Sequence, residues 1–215
     1  MNHLPIFLYR HAPREGSTDQ ITTGGKLQAS ALGEALRPDL PHGPCLGMCS
    51  QLLRTRETVA AILMGAGLGG APIRQEAALS NTPFDPRWVH GESPSANTAF
   101  NVYLQFGQTR PGRQVPAPRE VAARLVHLLY RQMGTAVATV VAVTHSGMIE
   151  VLLAYLLEFR RVEEIGGCFD YLEGIRLLFA QEQDASWSLR ASFRGHTYSI
   201  ANQILQSLLQ EGSSG

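Results

Sequence analysis

Neither sign of charge predominates in this chain. Eighteen Lys and Arg balance eighteen Asp and Glu, and charged residues make up only 17% of the 215. That balance excludes an overall field able to draw in nucleic acid or an anionic membrane surface, so any anion site has to be local. Cysteine is scarce as well. Cys45, Cys49 and Cys168 are odd in number and have no second Cys or His cluster at ligand spacing, which argues against both a disulfide framework and a zinc centre. Reduced thiols in a cytoplasmic protein are the expectation. Long hydrophobic runs are missing too. The apolar run at 4–9 stops at Arg10, too short for a signal-peptide core. The longest apolar region, AVATVVAVTHSGMIEVLLAYLL at 136–157, contains His145 and Glu150 and is split by Gly147, so it reads as a buried strand followed by a helix rather than a membrane span.

What is present is enough apolar residue, 44% of the chain, to bury one core, and the expectation is a single domain over 1–215. Residues 4–9 and 137–144 are short β-rich runs without alternation, as for strands covered on both faces of an α/β sheet, and CLGMCS (45–50) is a third. Helices are read at 24–37, stopped by Pro38, at 52–67, ended by Gly65 and Gly67, at 118–134, with Pro118 at its start and Gly134 at its end, and at 148–159. GIRLLFA (174–180) and SWSLRASF (186–193) read as two further strands, the second with period-two alternation, giving a mixed sheet. Residues 200–210 are an ambiguous terminal helix and 211–215 a frayed tail. The stretch 67–118, rich in Pro, Gly, Ser and Asn, reads as an irregular insertion or as irregular helix and loop over the site.

The chemistry-bearing residues fall just past strand ends, where α/β folds place their sites. LYRHAPRE (8–15) gathers Arg10, His11 and Arg14; CSQLLRTRETV (49–59) carries Arg54; VAVTHSGMI (141–149) carries His145. Together with ITTGGKLQA (21–29), these four stretches, in this order, resemble the boxes of the histidine phosphatase superfamily, which includes phosphoglycerate mutases and acid phosphatases, over about residues 6–152. The resemblance implies a phosphoglycerate mutase-like fold, a three-layer α/β/α sandwich around a mostly parallel mixed sheet. It also implies a metal-independent phosphomonoester hydrolase, without a cofactor, in which His11 attacks phosphorus to form a phosphohistidine that water then resolves. Arg10, Arg54 and His145 match the family's phosphate pocket. Arg14 matches a second phosphate-binding arginine of the acid-phosphatase branch. Planar, permanently charged guanidinium groups suit a phosphoryl group carrying roughly −1.5 to −2 charges. Ala12 stands where the family has glycine.

The proton donor for the leaving group breaks the pattern. The resemblance puts it either in a box that here reads LSN (79–81), ending in Asn81, or directly after the second histidine, at Ser146. Neither is an acid. Asp85 is favoured slightly as the donor, with Glu92 and Glu76 as alternatives, the remaining alternative being a substrate whose leaving group is good enough to need none. Two other functions stay open: a phosphate-sensing or phosphoprotein-binding module with lost or weak turnover, and a phosphomutase, for which Arg110, Arg113 and Arg119 could supply extra charge. The partner in each case is a phosphorylated small molecule or phosphoprotein.

Overall fold

The computed structural model describes residues 3–16, 18–80, 96–106, 116–182 and 187–212. Seven strands form one sheet in the order β3-β2-β4-β1-β5-β6-β7. They are β1 (His3–Arg10), β2 (Cys45–Cys49), β3 (Ile73–Gln75), β4 (Thr139–Thr144), β5 (Gly174–Gln181), β6 (Trp187–Phe193) and β7 (His196–Ile200). The four strands from β3 to β1 run parallel, and β5 to β7 extend the sheet antiparallel from the free edge of β1.

The unalternating runs of β1, β2 and β4 follow from burial on both faces. Leu4, Ile6, Leu8, Val140 and Ala142 point into one core, while Phe7, Val141 and Val143 point into another. The first core lies under α3 (Ala96–Phe106), α4 (Pro118–Tyr130), α5 (Met148–Leu156) and α6 (Asn202–Gly212); the second lies under α1 (Thr23–Leu36) and α2 (Leu53–Gly65). This is the three-layer α/β/α sandwich that the resemblance implies. β6 is covered on one side only. Its Leu189, Ala191 and Phe193 are buried while Arg190 is exposed, which is why this strand alternates in sequence.

Four elements differ from the sequence reading. β3 and α3 lie inside the stretch read as irregular. β3 spans three residues, too few to show a period. ANTAFNVYLQF, the α3 sequence, is poor in strong helix formers and is held instead by burial of Phe100 and Tyr103. β7 was not expected. It follows a tight turn at Arg194-Gly195, both with positive φ (48° and 75°), a two-residue hairpin connection without the usual Asn-Gly signal. The terminal helix α6 begins later than read and runs through Gly212, into the segment read as frayed. Among the described residues no helix is long and apolar enough to cross a membrane, and all three cysteines are free thiols.

The helices α1 and α2 touch through glycine. A Cβ on Gly33 would sit 2.0 Å from the Ile62 carbonyl oxygen, and one on Gly65 would sit 1.9 Å from that of Ser30. Both distances are far inside contact, so the two backbones meet only because these side chains are absent. The contact matters to the site, because α2 carries Arg54. Gly33→Ala is expected to lower stability by about 3 kcal/mol, read as a lower urea midpoint. An unchanged midpoint would show that the helices can part at no cost.

Candidate active site

The order of the central strands decides which residues meet. β2, β4 and β1 are parallel neighbours, with Cys49 beside Val143 and Arg10 beside Thr144. Neighbouring strands lie about 4.8 Å apart. The next residue of each strand, Ser50, His145 and His11, therefore emerges at one end of the sheet. The His11 N–H continues the ladder onto the Thr144 carbonyl at 3.0 Å. The two imidazole rings come to 5.3 Å, edge to face, with both residues buried.

Arg54 joins them from the first turn of α2. Its Nε donates to His11 Nε2 at 3.3 Å and its Nη2 to His145 Nδ1 at 3.2 Å. Nε and Nη2 form the side-on edge of the guanidinium, the pair of parallel N–H groups that grips an oxyanion in a bidentate fork. The remaining contacts fix both tautomers. His11 Nδ1 lies 2.7 Å from the Ala12 carbonyl oxygen, so it carries the proton and leaves the Nε2 lone pair facing Arg54. Because the arginine can only donate to His145 Nδ1, His145 Nε2 is protonated and donates to Ser50 Oγ at 2.9 Å. Ser50 Oγ in turn donates to Thr55 Oγ1 at 2.9 Å, and Thr55 donates to the Leu52 carbonyl at 2.7 Å. Thr58 fixes the turn after His11, accepting from the Ala12 N–H at 3.0 Å and donating to the Arg54 carbonyl at 2.6 Å.

Arg10 reaches the cluster from the other side. Its Nη1 donates to the Phe169 carbonyl at 2.7 Å, its guanidinium lies 4.2 Å from the Tyr171 ring centroid, and its buried Nε has no partner among the described residues. Tyr171 also lies 5.5 Å from the His11 ring. The loop bearing Phe169 and Tyr171 is held by the fully buried Glu150, which accepts from Gly147 N–H and Phe169 N–H at 2.8 Å each. It is also held by Arg194, which pairs with Glu173 at 2.6 Å and donates to the Gly167 carbonyl. Gly147, at φ +88°, lets the chain turn from His145 into α5 while aiming its N–H at Glu150.

Of the sequence candidates, His11, His145, Arg10 and Arg54 are brought together. Arg14 is exposed and bridges to Ile21, yet its charge reaches His11. Glu76 pairs with Arg74 at 2.5 Å. Asn81, Asp85, Glu92, Arg110 and Arg113 lie outside the described residues. Arg119 is engaged by Glu211 and Ser207. Ser146 follows His145 at the turn into α5. Sequence reasoning gave no role to Asp19, Ser50, Thr58, Glu150 or Tyr171. Ser50 and Thr58 lie within a quoted box, whereas nothing in the sequence singles out Asp19 or Tyr171. Among the described residues no three His, Cys, Asp or Glu gather in a way that could hold a metal ion.

Burial, opposed by the hydrogen bond to the Ala12 carbonyl and reinforced by Arg54, Arg10 and Arg14, lowers the His11 pKa to about 4. Burial, Arg54, His11 and Arg10 push that of His145 down further, to about 2. Both imidazoles are thus neutral at ordinary pH. The chemistry available is a neutral nitrogen nucleophile at His11 Nε2, flanked by fixed cations that would stabilise an oxyanion.

These shifts set a pH dependence of stability. The folded values lie below the ordinary 6.5, so below that pH the unfolded chain binds more protons than the folded one. Stability is expected to be full above pH 6.5 and to fall as pH drops toward 4, measured as urea midpoints across that window. Added phosphate, which favours imidazolium, should flatten the fall, and so should replacing both histidines by alanine. An equally steep fall in the double variant would assign it to other groups.

The comparisons bear on the family and the fold. The model of the histidine phosphatase superfamily (branch 1) matches residues 6–166. Among solved structures, phosphoglycerate mutase from Bacillus anthracis str. Sterne superposes with TM-score 0.63 at 14% identity, covering 99% of this chain and 97% of its own. A mycobacterial glucosyl-3-phosphoglycerate phosphatase gives 0.60 at 20% identity, covering 87% and 96%. Phosphoserine phosphatase from Entamoeba histolytica, in complex with 3-phosphoglyceric acid, gives 0.59 at 15%, covering 95% and 100%. At such identities these structures establish likeness of fold. No curated protein matches the sequence.

Proposed function

Since the chain belongs to the histidine phosphatase superfamily, branch 1, we propose that it is a metal-independent phosphomonoester hydrolase acting through a phosphohistidine on His11. The observation that carries this reading is the side-on edge of Arg54 set between the lone pairs of two neutral imidazoles. In the first step the His11 Nε2 lone pair attacks phosphorus, the N–P bond forms, and the P–O bond to the alcohol breaks. The leaving oxygen takes a proton from an acid. In the second step water attacks phosphorus, the N–P bond breaks, His11 returns neutral and phosphate departs, the water proton passing back to that acid.

Arg54, Arg10 and His145 hold the three non-bridging oxygens, and Arg14 adds its charge from the rim. Negative charge on these oxygens offsets the cost of keeping the cations buried, and it supplies acceptors for donors such as the orphaned Arg10 Nε. A phosphoryl dianion would also raise the His145 pKa, letting that ring donate a hydrogen bond while Ser50 holds its other face. Small phosphorylated molecules, the kind named for the mycobacterial and Entamoeba phosphatases, are the substrate class we favour. Hydrolysis is favoured over mutase action because Arg119, one candidate for holding a second anionic group, is already paired with Glu211. For the acid we keep Asp85, on its position in the sequence alone.

Release of 4-nitrophenol from its phosphate is expected in the wild type. His11→Ala should reduce it about a thousandfold or more, and Arg54→Ala about a hundredfold to a thousandfold. A wild type no faster than His11→Ala that still binds vanadate would make the protein a phosphate-binding module instead. Transfer of phosphate between positions of a bisphosphate, rather than its release, would make it a mutase. Asp85→Asn should cost alkyl phosphates about a hundredfold while sparing aryl phosphates. Equal losses on both would remove Asp85 as the donor.

A further inference from the structure

We infer that Asp19 is a positioning residue of this site, fixing the orientation of the Arg54 guanidinium so that its bidentate edge faces the reacting phosphoryl group. The inference rests on the phosphoryl-transfer reading above and concerns a residue outside every matched motif.

Asp19 sits in the loop between β1 and α1, a segment with its own internal structure. Glu15 N–H donates to the Gln20 carbonyl, Thr18 N–H to the Glu15 carbonyl and Thr22 N–H to the Pro13 carbonyl, at 2.9–3.0 Å. The loop is tied to α2 by Ile21 N–H, which donates to Glu57 at 2.9 Å, and Glu57 also pairs with Lys26. The folded loop carries the Asp19 carboxylate to the N-terminus of α2. There one oxygen accepts from Arg54 Nη1 and the other accepts from the Leu53 N–H at 2.6 Å. No side chain of the preceding residue caps this helix, so Asp19 does that work from 34 residues away in sequence.

The geometry divides the guanidinium in two. Nε and Nη2 face the histidines, and Nη1 is gripped by Asp19. A guanidinium rotates freely about its last side-chain bonds unless held at two points. With Nη1 fixed against the helix terminus, the side-on edge stays turned toward His11 and His145. The Arg54 side chain is 13% exposed against 36% for Asp19, so the acid closes the solvent side of the arginine and leaves its inner edge free. The carboxylate also partly neutralises Arg54. Removing it would therefore strengthen the attraction for any anion while loosening the orientation needed in the transition state.

That opposition yields a test that separates positioning from simple binding. Wild type, Asp19→Ala and Asp19→Asn are compared for 4-nitrophenyl phosphate turnover, for binding of phosphate and of vanadate by calorimetry, and for melting temperature. Vanadate adopts the trigonal bipyramidal geometry of the transition state, whereas phosphate stays tetrahedral. Asp19→Ala is expected to lower kcat about tenfold to a hundredfold with KM unchanged or lower, to weaken vanadate binding and to leave phosphate binding intact or tighter. Asp19→Asn, which keeps one acceptor for Arg54, should recover part of the loss.

Turnover in Asp19→Ala within about twofold of the wild type would overturn the inference. So would equal weakening of phosphate and vanadate, or an asparagine variant no better than alanine. A wild type no faster than His11→Ala would instead defeat the hydrolase reading. In that case the ratio of vanadate to phosphate affinity, measured without turnover, still decides for or against Asp19.

Discussion

Everything at this site depends on keeping a guanidinium largely out of water with one edge uncommitted to any carboxylate. Burying a permanent cation costs several kcal/mol unless acceptors surround it. The chain supplies an acceptor to each nitrogen of the Arg54 guanidinium while reserving the strong one, the Asp19 carboxylate, for Nη1. The inner edge meets only the lone pairs of neutral imidazoles, which are weak competitors for an incoming dianion. Arg10 is treated in the same way: a backbone carbonyl and an aromatic face hold it, and no carboxylate forms an ion pair with it among the described residues.

The scaffold makes this arrangement inexpensive. Three adjacent parallel strands end at one level, so residues separated by more than a hundred positions in the chain need no long loops to meet. What loops there are carry the supporting acceptors: the segment before α1 brings Asp19, and the segment before β5 brings the Phe169 carbonyl and Tyr171. Glu150 links the second segment to the helix that starts just after His145, so one buried carboxylate sets the positions of two parts of the pocket. The glycine contact between α1 and α2 serves the same end, seating the helix whose first turn bears Arg54.

His11, Arg54 and His145 were legible in the sequence because each falls one step past a recognisable strand or at the start of a helix, inside a box with fixed spacing. The central strands were legible because burial on both faces makes them uniformly apolar. Asp19 was not, since a single acid in a polar loop looks like any solvated charge until the loop's fold aims it at Arg54. Tyr171 was hidden because it lies in a turn, outside any periodic element. β3 and β7 escaped because three- and five-residue strands draw their order from neighbouring strands, not from their own pattern, and α3 because packing of Phe100 and Tyr103 overrides weak helix propensity.

On the hydrolase reading, the protonation of the imidazoles gives the cycle its direction. Neutral His11 is a nucleophile only while burial and the surrounding arginines outweigh its attraction for a proton, which the fold ensures. Once phosphorus is bonded to Nε2, the lone pair that faced Arg54 is replaced by phosphoryl oxygens, and the same guanidinium edge passes from a weak acceptor to strong ones. The cations therefore hold the phosphoenzyme more tightly than the free histidine. That gain is already made when the substrate's phosphoryl oxygens take the guanidinium edge, so it does not drive departure of the alcohol, whereas departure of phosphate has to work against it. A residue that moderates the charge of Arg54 without occupying its inner edge, as Asp19 does, thus bears on both halves of the reaction: it sets the geometry for attack and limits how firmly the product is retained.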